Sequence, residues 1–343
     1  MNESISNKIH WMRAIGCVGV ISLHSAIIDN LVNPSWWSSN IFGGIARFAV
    51  PMFFMISGCL LINERYRFDG FVKRRLLRIV PAIIFWDAVY YAWLTHGSGS
   101  IPDFFVASVE GPIYYPLWYL YALVGTYLAL IVIIPFYNHS SEKEKTFFVA
   151  LWAICYGALP VATDLYKLPS TLVGTYSLGM FAEPIGWLVL GAMLRDAAAN
   201  GKHQPNARIA FLASLWCLAV ILVLTKLYTF RTADSLPPRF VAEAFRTPQS
   251  IFTIAYSVCV FLFFLGIQTQ KHPRIEKLVE VISECSLGIY CLHVLVMTEV
   301  LSRLKHHIAS SWIVIPTVTG VTFLICLAAS YGARKVKLAR YVF

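Results

Sequence analysis

The feature that most constrains this chain is a series of long apolar runs that recurs along almost its whole length. Each run is close to the ~20 residues that a helix needs to cross a bilayer, and clusters of Pro, Gly, Ser, Asn and charged residues separate the runs. Hydrophobic residues make up 58% of the chain and charged residues only 13%, about half the charged share of a soluble domain. The sequence therefore predicts an all-α polytopic membrane protein.

Ten of these runs are predicted to be helices, and we expect each of them to cross the membrane. Their approximate ranges are 11–31, 42–63, 79–96, 116–137, 146–162, 178–195, 209–228, 248–267, 286–304 and 312–333. The fifth run is short and contains Pro160, so its pattern is the least typical of a helix. We find no internal repeat in residues 1–343, and we expect a single membrane domain with no appended soluble domain.

Lys and Arg residues indicate how these helices are oriented. The chain has 28 of them and a net charge of +10, which in a soluble protein would suggest nucleic-acid binding. Here 20 of the 28 fall in alternate connecting segments, beginning with the N-terminal one. Because Lys and Arg are concentrated in cytoplasmic loops, we expect both termini to be cytoplasmic and no nucleic-acid partner.

The eight cysteines lie within or beside the apolar runs. They form no CxxC pair and no spacing typical of metal ligands, so we expect neither disulfides nor a metal site. We interpret them as small apolar side chains that contribute to packing.

The first predicted helix contains two ionisable residues that are rare in hydrocarbon, Arg13 and His24. Their eleven-residue spacing corresponds to about three helical turns, so both side chains leave the same face, roughly 16 Å apart along the axis. One interpretation is an interfacial anchor and a histidine bonded to a neighbouring helix. The other is that His24 is a general base for a hydroxyl, since imidazole exchanges a proton near neutral pH.

A basic cluster lies at the predicted cytoplasmic start of the third helix. Arg75 and Arg78 share one helical face, and Lys73 and Arg74 lie beside them. The cytoplasmic bias of Lys and Arg explains such a cluster by itself, but paired arginines also suit bidentate contacts to phosphate. We therefore regard these four residues as candidates for binding a phosphorylated donor.

Arg47 and His293 are a second arginine and a second histidine in predicted helices. Arg47 either extends to the outer interface or faces a polar cavity. Carboxylates that are candidate partners for Arg47 or a histidine are Asp87, Glu183 and Glu299. Trp118 and Tyr119 either belong to an interfacial aromatic belt or, with Glu183, contact a substrate.

Several sequence blocks carry a resemblance beyond these individual residues. Besides Arg13 and His24, they are, in order, RFAVPMFFMISG, RRLLRIVP, LWYLYALVGTYL, LVLGAML and SLGIYCLHVLV. Together they resemble the membrane acyltransferase family called acyltransferase 3, from residue 11 to about residue 300. Among its members, the chain is most similar to the short enterobacterial common antigen O-acetyltransferase type.

The resemblance implies an enzyme of the bacterial inner membrane that transfers an acyl group to a hydroxyl of a surface glycan or its lipid-linked precursor. The usual acyl donor is acetyl-CoA, so the implied partners are acyl-CoA, the acceptor and the lipid bilayer, and a homo-oligomer is compatible with the pattern. A proton-coupled transporter of a small organic acid or lipid-linked sugar is the alternative, because helices with His, Arg and carboxylates suit such a carrier.

The resemblance also assigns roles to six residues: catalysis to Arg13, His24, Arg47 and His293, and donor binding to Arg75 and Arg78. We expect His24 to take the proton of the acceptor hydroxyl while Arg47 or Arg13 holds His24 or stabilises the thioester oxyanion. A covalent acyl-histidine intermediate is an open alternative. Two positions depart from the family pattern: His10, where many members carry an acid, and Pro116, where many carry a histidine.

Overall fold

The computed structural model describes residues 3–32, 35–63, 70–169, 171–199, 204–231, 241–268, 272–304, 310–337 and 339–343. Within these ranges the chain forms fifteen α-helices and no strand, which confirms the all-α prediction. The helices are α1 Glu3–Val32, α2 Trp36–Ile45, α3 Ala49–Leu61, α4 Phe71–Leu94, α5 Ile101–Glu110, α6 Trp118–His139, α7 Glu142–Trp152, α8 Leu159–Tyr166, α9 Leu172–Thr175, α10 Ile185–Ala199, α11 Ala207–Arg231, α12 Ile251–Gly266, α13 Pro273–Glu284, α14 Ser286–Leu304 and α15 Ser311–Ala333.

Eight helical segments in the described part of the chain are long and apolar enough to cross a membrane. They are Ile5–Asp29, Trp36–Leu61, Lys73–Leu94, Tyr115–His139, Glu142–Tyr166, Ala207–Arg231, Ser286–Leu304 and Ser311–Ala333. The other two predicted runs are the shorter helices α10 and α12. The protein is therefore a polytopic membrane protein, while ten crossings and cytoplasmic termini stay predictions.

The fifth predicted run, whose pattern is the least typical of a helix, belongs to a helical segment of 25 residues, Glu142–Tyr166. A capping box begins it, in which the side chains of Ser141 and Glu144 each bond the backbone N–H of the other residue. A π-turn over Ala153–Ala158 then precedes Pro160, which lies in the first turn of α8. The proline has no N–H to donate to the preceding turn, and the backbone nevertheless remains helical through the segment.

Besides the single-turn helix α9, the helices α5 and α13 lie where we expected only loops. The side chain of Ser100 caps α5 by accepting from the backbone N–H of Asp103 at 3.2 Å. Pro273 begins α13, which packs against α1, and there His10 Nδ1 lies 2.9 Å from Ser283 Oγ. Both helices are only 10–12 residues long, so a search for membrane-length apolar runs does not detect them.

The first helix lies in the middle of the bundle. α1 contacts α2, α3, α12, α13, α14 and α15. Arg13 and His24, which α1 carries, are therefore surrounded mainly by protein rather than by lipid, as expected for ionisable groups at membrane depth.

Candidate active site

A cavity of about 600 Å³ lies at the end of the bundle where α1, α4 and α14 begin and α3 and α15 end. Five arginines and one carboxylate, Glu284, line it in the described part of the chain. The arginines are Arg13, Arg75, Arg78, Arg334 and Arg340. Such a surplus of positive charge in a partly enclosed space fits a ligand with several negative charges.

Three of these arginines were candidates from the sequence. Arg75 and Arg78 lie one turn apart on α4, with the Arg75 guanidinium 5.6 Å from the Phe71 ring centre. Arg13 reaches the same cavity from α1. The other two members of the basic cluster, Lys73 and Arg74, are exposed and do not line the cavity.

Two tyrosines, Tyr119 and Tyr290, line the cavity together with the arginines. Their rings lie 5.4 Å apart. The Tyr290 hydroxyl donates to the carbonyl of Pro116. Pro116 thus fixes a cavity-lining tyrosine through its backbone.

The two intramembrane histidines lie together just beyond these tyrosines. Their ring centres are 5.1 Å apart, and the His293 ring lies 5.7 Å from that of Tyr290. The Tyr115 ring covers the other side of His24 at 5.3 Å. Neither histidine lines the cavity, whereas Tyr290, which contacts His293, does.

Both imidazoles have a ring nitrogen without a hydrogen-bond partner. His293 Nδ1 bonds the carbonyl of Tyr290, and because a carbonyl only accepts, Nδ1 carries the proton in this bond. The lone pair of a neutral His293 is then on Nε2, which is buried and unpartnered among the described residues, as is His24 Nδ1. A buried unpaired nitrogen is a group that can accept a proton from a substrate hydroxyl.

Arg47 lies in a break in the second membrane segment. The turn Ala46–Phe48 is a 3₁₀-helix between α2 and α3. Arg47 is only 7% exposed and its Nη2 lies 2.6 Å from Glu243 Oε2, so it faces the protein interior and not the interface. Glu243 was not among the three carboxylates that we expected as partners for this arginine.

Arg246 is a second buried arginine on this side of the histidines. It is 2% exposed, and its Nη1 has one distant contact, 3.5 Å from Asn40 Oδ1. Burial lowers the pKa of Arg246 to about 9, and the charge of Arg47 acts in the same direction. A side chain at Gly43 would meet Arg246 Nη2 at 2.4 Å, so a glycine is what lets this guanidinium lie against α2.

Three other candidates lie outside this arrangement. Glu183 is exposed, and its backbone carbonyl accepts from Trp152 Nε1 at 2.9 Å. The Trp118 ring lies edge-on to that of Tyr119, with the ring centres 6.4 Å apart. Neither Glu183 nor Trp118 lines the cavity. Asp87 accepts from the hydroxyls of Tyr121 and, at 2.7 Å, Ser108. It thereby fastens α5 to α4.

Sequence reasoning missed Tyr115, Tyr290, Arg246, Arg334 and Arg340. Arg246 did give a signal, because it is one of the few cations outside the predicted cytoplasmic segments. The others resemble ordinary interfacial tyrosines and cytoplasmic arginines, and only the fold brings them to the site. No group of three or more His, Cys, Asp or Glu suited to a metal lies among the described residues.

The geometry can be compared with known proteins. No curated protein and no solved structure matches the chain. The model of the family Acyl_transf_3, described as an acyltransferase domain, matches residues 6–331. This range begins in α1 and ends in α15, and it contains both histidines and three of the five cavity arginines, Arg13, Arg75 and Arg78. Because the match covers far more than half of the chain, the protein belongs to the acyltransferase 3 family and is a multi-pass membrane acyltransferase.

Proposed function

We propose that this protein transfers an acetyl group from acetyl-CoA to a hydroxyl of a cell-surface glycan, or of its lipid-linked precursor, at the bacterial inner membrane. The observation that carries the proposal is the arginine-lined cavity, whose lining residue Tyr290 contacts the buried His293, which in turn contacts the half-buried His24. A phosphate-rich donor and a proton-accepting group are the two components that transfer from a CoA thioester requires.

The donor binds in the cavity. CoA carries a pyrophosphate and a 3′-phosphate, and guanidinium groups bind phosphate through charge-assisted, often bidentate hydrogen bonds. Arg13, Arg75 and Arg78 supply three such groups close together. The pantetheine arm then passes between Tyr119 and Tyr290, a step that needs movement of these two side chains, and brings the thioester to the histidines.

At the histidines the acceptor oxygen attacks the thioester carbonyl. His24 takes the proton of the hydroxyl, the C–S bond breaks as the ester C–O bond forms, and the CoA thiolate recovers the proton. Arg13 lines the donor cavity, so we assign stabilisation of the oxyanion to Arg47, whose charge acts on His24. His293, in ring contact with His24, positions it or relays the proton. An acyl-histidine intermediate would use the same lone pair and stays open.

The acceptor approaches from the side of Arg47 and Arg246. Among the described residues, the two buried arginines there have one carboxylate close by, Glu243, which leaves a surplus of positive charge in this part of the structure. This surplus supports an acceptor that itself carries a negative group, such as the phosphate of a lipid-linked precursor.

The experiment is transfer of labelled acetyl from acetyl-CoA to extracted envelope glycolipids by purified protein in detergent. We expect the wild type to acetylate the glycolipid and His24→Ala to lose at least 100-fold in rate, since general-base catalysis contributes roughly 10²–10⁴-fold. His139→Ala is the matched control, because His139 is exposed at the end of α6. Full activity of His24→Ala removes the histidine from the mechanism, and absence of transfer by the wild type refutes the proposed function.

A further inference from the structure

After α15 the chain folds back across the mouth of the cavity. We call residues 334–337 and 339–343 the strap. The strap ends in a 3₁₀-turn, Ala339–Tyr341. The indole N–H of Trp86 donates to the carbonyl of Val342 at 2.8 Å, and the Phe343 ring lies 5.1 Å from that of Trp86. These contacts fasten the strap to α4, the helix that carries Arg75 and Arg78.

The strap contributes two of the five cavity arginines, and they differ in their partners. Arg334 forms an ion pair with Glu284 at 3.1 Å and donates to the carbonyl of Phe343 at 3.3 Å. Arg340 donates from Nε to the carbonyl of Arg334 at 2.7 Å and has no carboxylate partner in the described part of the chain. Its terminal nitrogens are therefore open to an anion in the cavity.

The five arginines also lie at different depths. Arg13 is partly buried on the central helix, whereas Arg340 is exposed on the strap. The helical rise places Arg13 about 16 Å from His24, a span that an extended pantetheine arm covers. With the thioester at His24, the pyrophosphate of CoA reaches the level of Arg13, Arg75 and Arg78.

In CoA the 3′-phosphate is on the ribose, beyond the pyrophosphate as seen from the thioester. The 3′-phosphate is therefore the phosphate nearest the mouth of the cavity when the thioester lies at His24. We infer that Arg340, held by the strap, binds this 3′-phosphate and makes the enzyme select CoA over dephospho-CoA. The inference rests on the proposed CoA donor and adds to it a subsite outside the membrane helices.

The test compares binding of CoA and of dephospho-CoA by calorimetry on the purified full-length protein at one fixed ionic strength. We expect the wild type to bind CoA roughly tenfold more tightly than dephospho-CoA, the effect of one charge-assisted phosphate contact. Arg340→Gln should lose this factor for CoA and keep the wild-type affinity for dephospho-CoA. Lys335→Gln removes the same charge from the strap, but Lys335 lies on the Tyr331 ring and outside the cavity, so it should retain the preference.

The possible outcomes test the 3′-phosphate subsite and the assignment of CoA as the donor separately. If Arg340→Gln keeps the wild-type preference, or loses affinity equally for both ligands, the 3′-phosphate subsite is wrong while CoA remains the donor. If the wild type binds neither ligand, both the subsite and the proposed donor are wrong. Arg340 is exposed, so the substitution should leave folding intact, which an unchanged melting temperature in the same detergent verifies.

Discussion

The hydrogen bonding of Arg246 does not compensate for the cost of burying its charge. Among the described residues, its guanidinium has one hydrogen bond, at 3.5 Å, and its Nε has no partner, while the charges of Arg47 and Glu243 act on it in opposite directions. Taking an ion out of water costs several kcal/mol unless partners replace the water. Such a residue lowers the stability of the empty protein, which is typical of groups that bind substrate.

Arg246→Met should therefore separate stability from activity. We expect the melting temperature to stay the same or to rise by a few degrees, because an apolar side chain of similar length avoids the burial of a charge. Acetyl transfer should fall at least tenfold, since the acceptor side loses its surplus charge. Thermal unfolding in detergent and the transfer assay measure the two effects.

Arg303→Met is the matched control for this substitution, because Arg303 is exposed in the last turn of α14. It should change neither quantity. A lowered melting temperature together with full activity in Arg246→Met would mean that the buried charge is structural.

Sequence analysis could identify those residues of the site that are ionisable and lie within an apolar run. Arg13, His24 and His293 interrupt apolar runs, so their type alone indicates a polar interior. The pairing of His24 with His293 joins α1 to α14, and sequence spacing contains no information on that distance. Sequence analysis did not single out Arg340, because arginines are common in predicted cytoplasmic segments whether or not they bind a ligand.

At the level of elements, α3 and α10 make a close helix contact at a glycine on each side. A Cβ on Gly58 would lie 2.0 Å from the carbonyl oxygen of Leu188, and one on Gly191 would lie 2.2 Å from that of Met55. Small residues at such positions let membrane helices approach backbone to backbone. This contact holds the cavity-lining α3 in place.

Gly58→Ala should destabilise the protein although alanine is the better helix former. The added methyl group must push two backbones apart, and overpacking of this kind costs about 1–3 kcal/mol. Gly125→Ala in α6 is the control, because a Cβ there meets nothing within 4 Å, and it should leave stability unchanged or slightly raised. Thermal unfolding in one detergent compares both variants, and equal melting temperatures would contradict the close contact.

Element types were predictable where the apolar run is long, and less so where the helix is short or broken. The break at Ala46–Phe48 falls inside the block RFAVPMFFMISG, whose composition is helical throughout. At this turn Arg47 pairs with Glu243, a partner almost 200 residues away. No local pattern predicts a tertiary ion pair of this kind.

The whole molecule divides its cations between two ends. Five arginines surround the cavity at one end of the bundle, and Arg47 and Arg246 lie beyond the histidines toward the other. Acetyl-CoA is a cytoplasmic metabolite, so the proposed donor requires that the cavity open to the cytoplasm. The bias of Lys and Arg in the sequence predicts the same orientation independently, and the two arguments can be tested together.

Labelling of introduced cysteines with a membrane-impermeant maleimide on intact spheroplasts provides that test. Ser98 is exposed between α4 and α5, and Lys143 is exposed in the first turn of α7. We expect Ser98→Cys to react in intact spheroplasts and Lys143→Cys only after permeabilisation. The eight native cysteines are buried or half-buried, so the parent protein should give little background. The opposite pattern would expose the arginine cavity to the periplasm, where acetyl-CoA is absent, and the donor assignment would then be wrong whatever the catalytic role of His24.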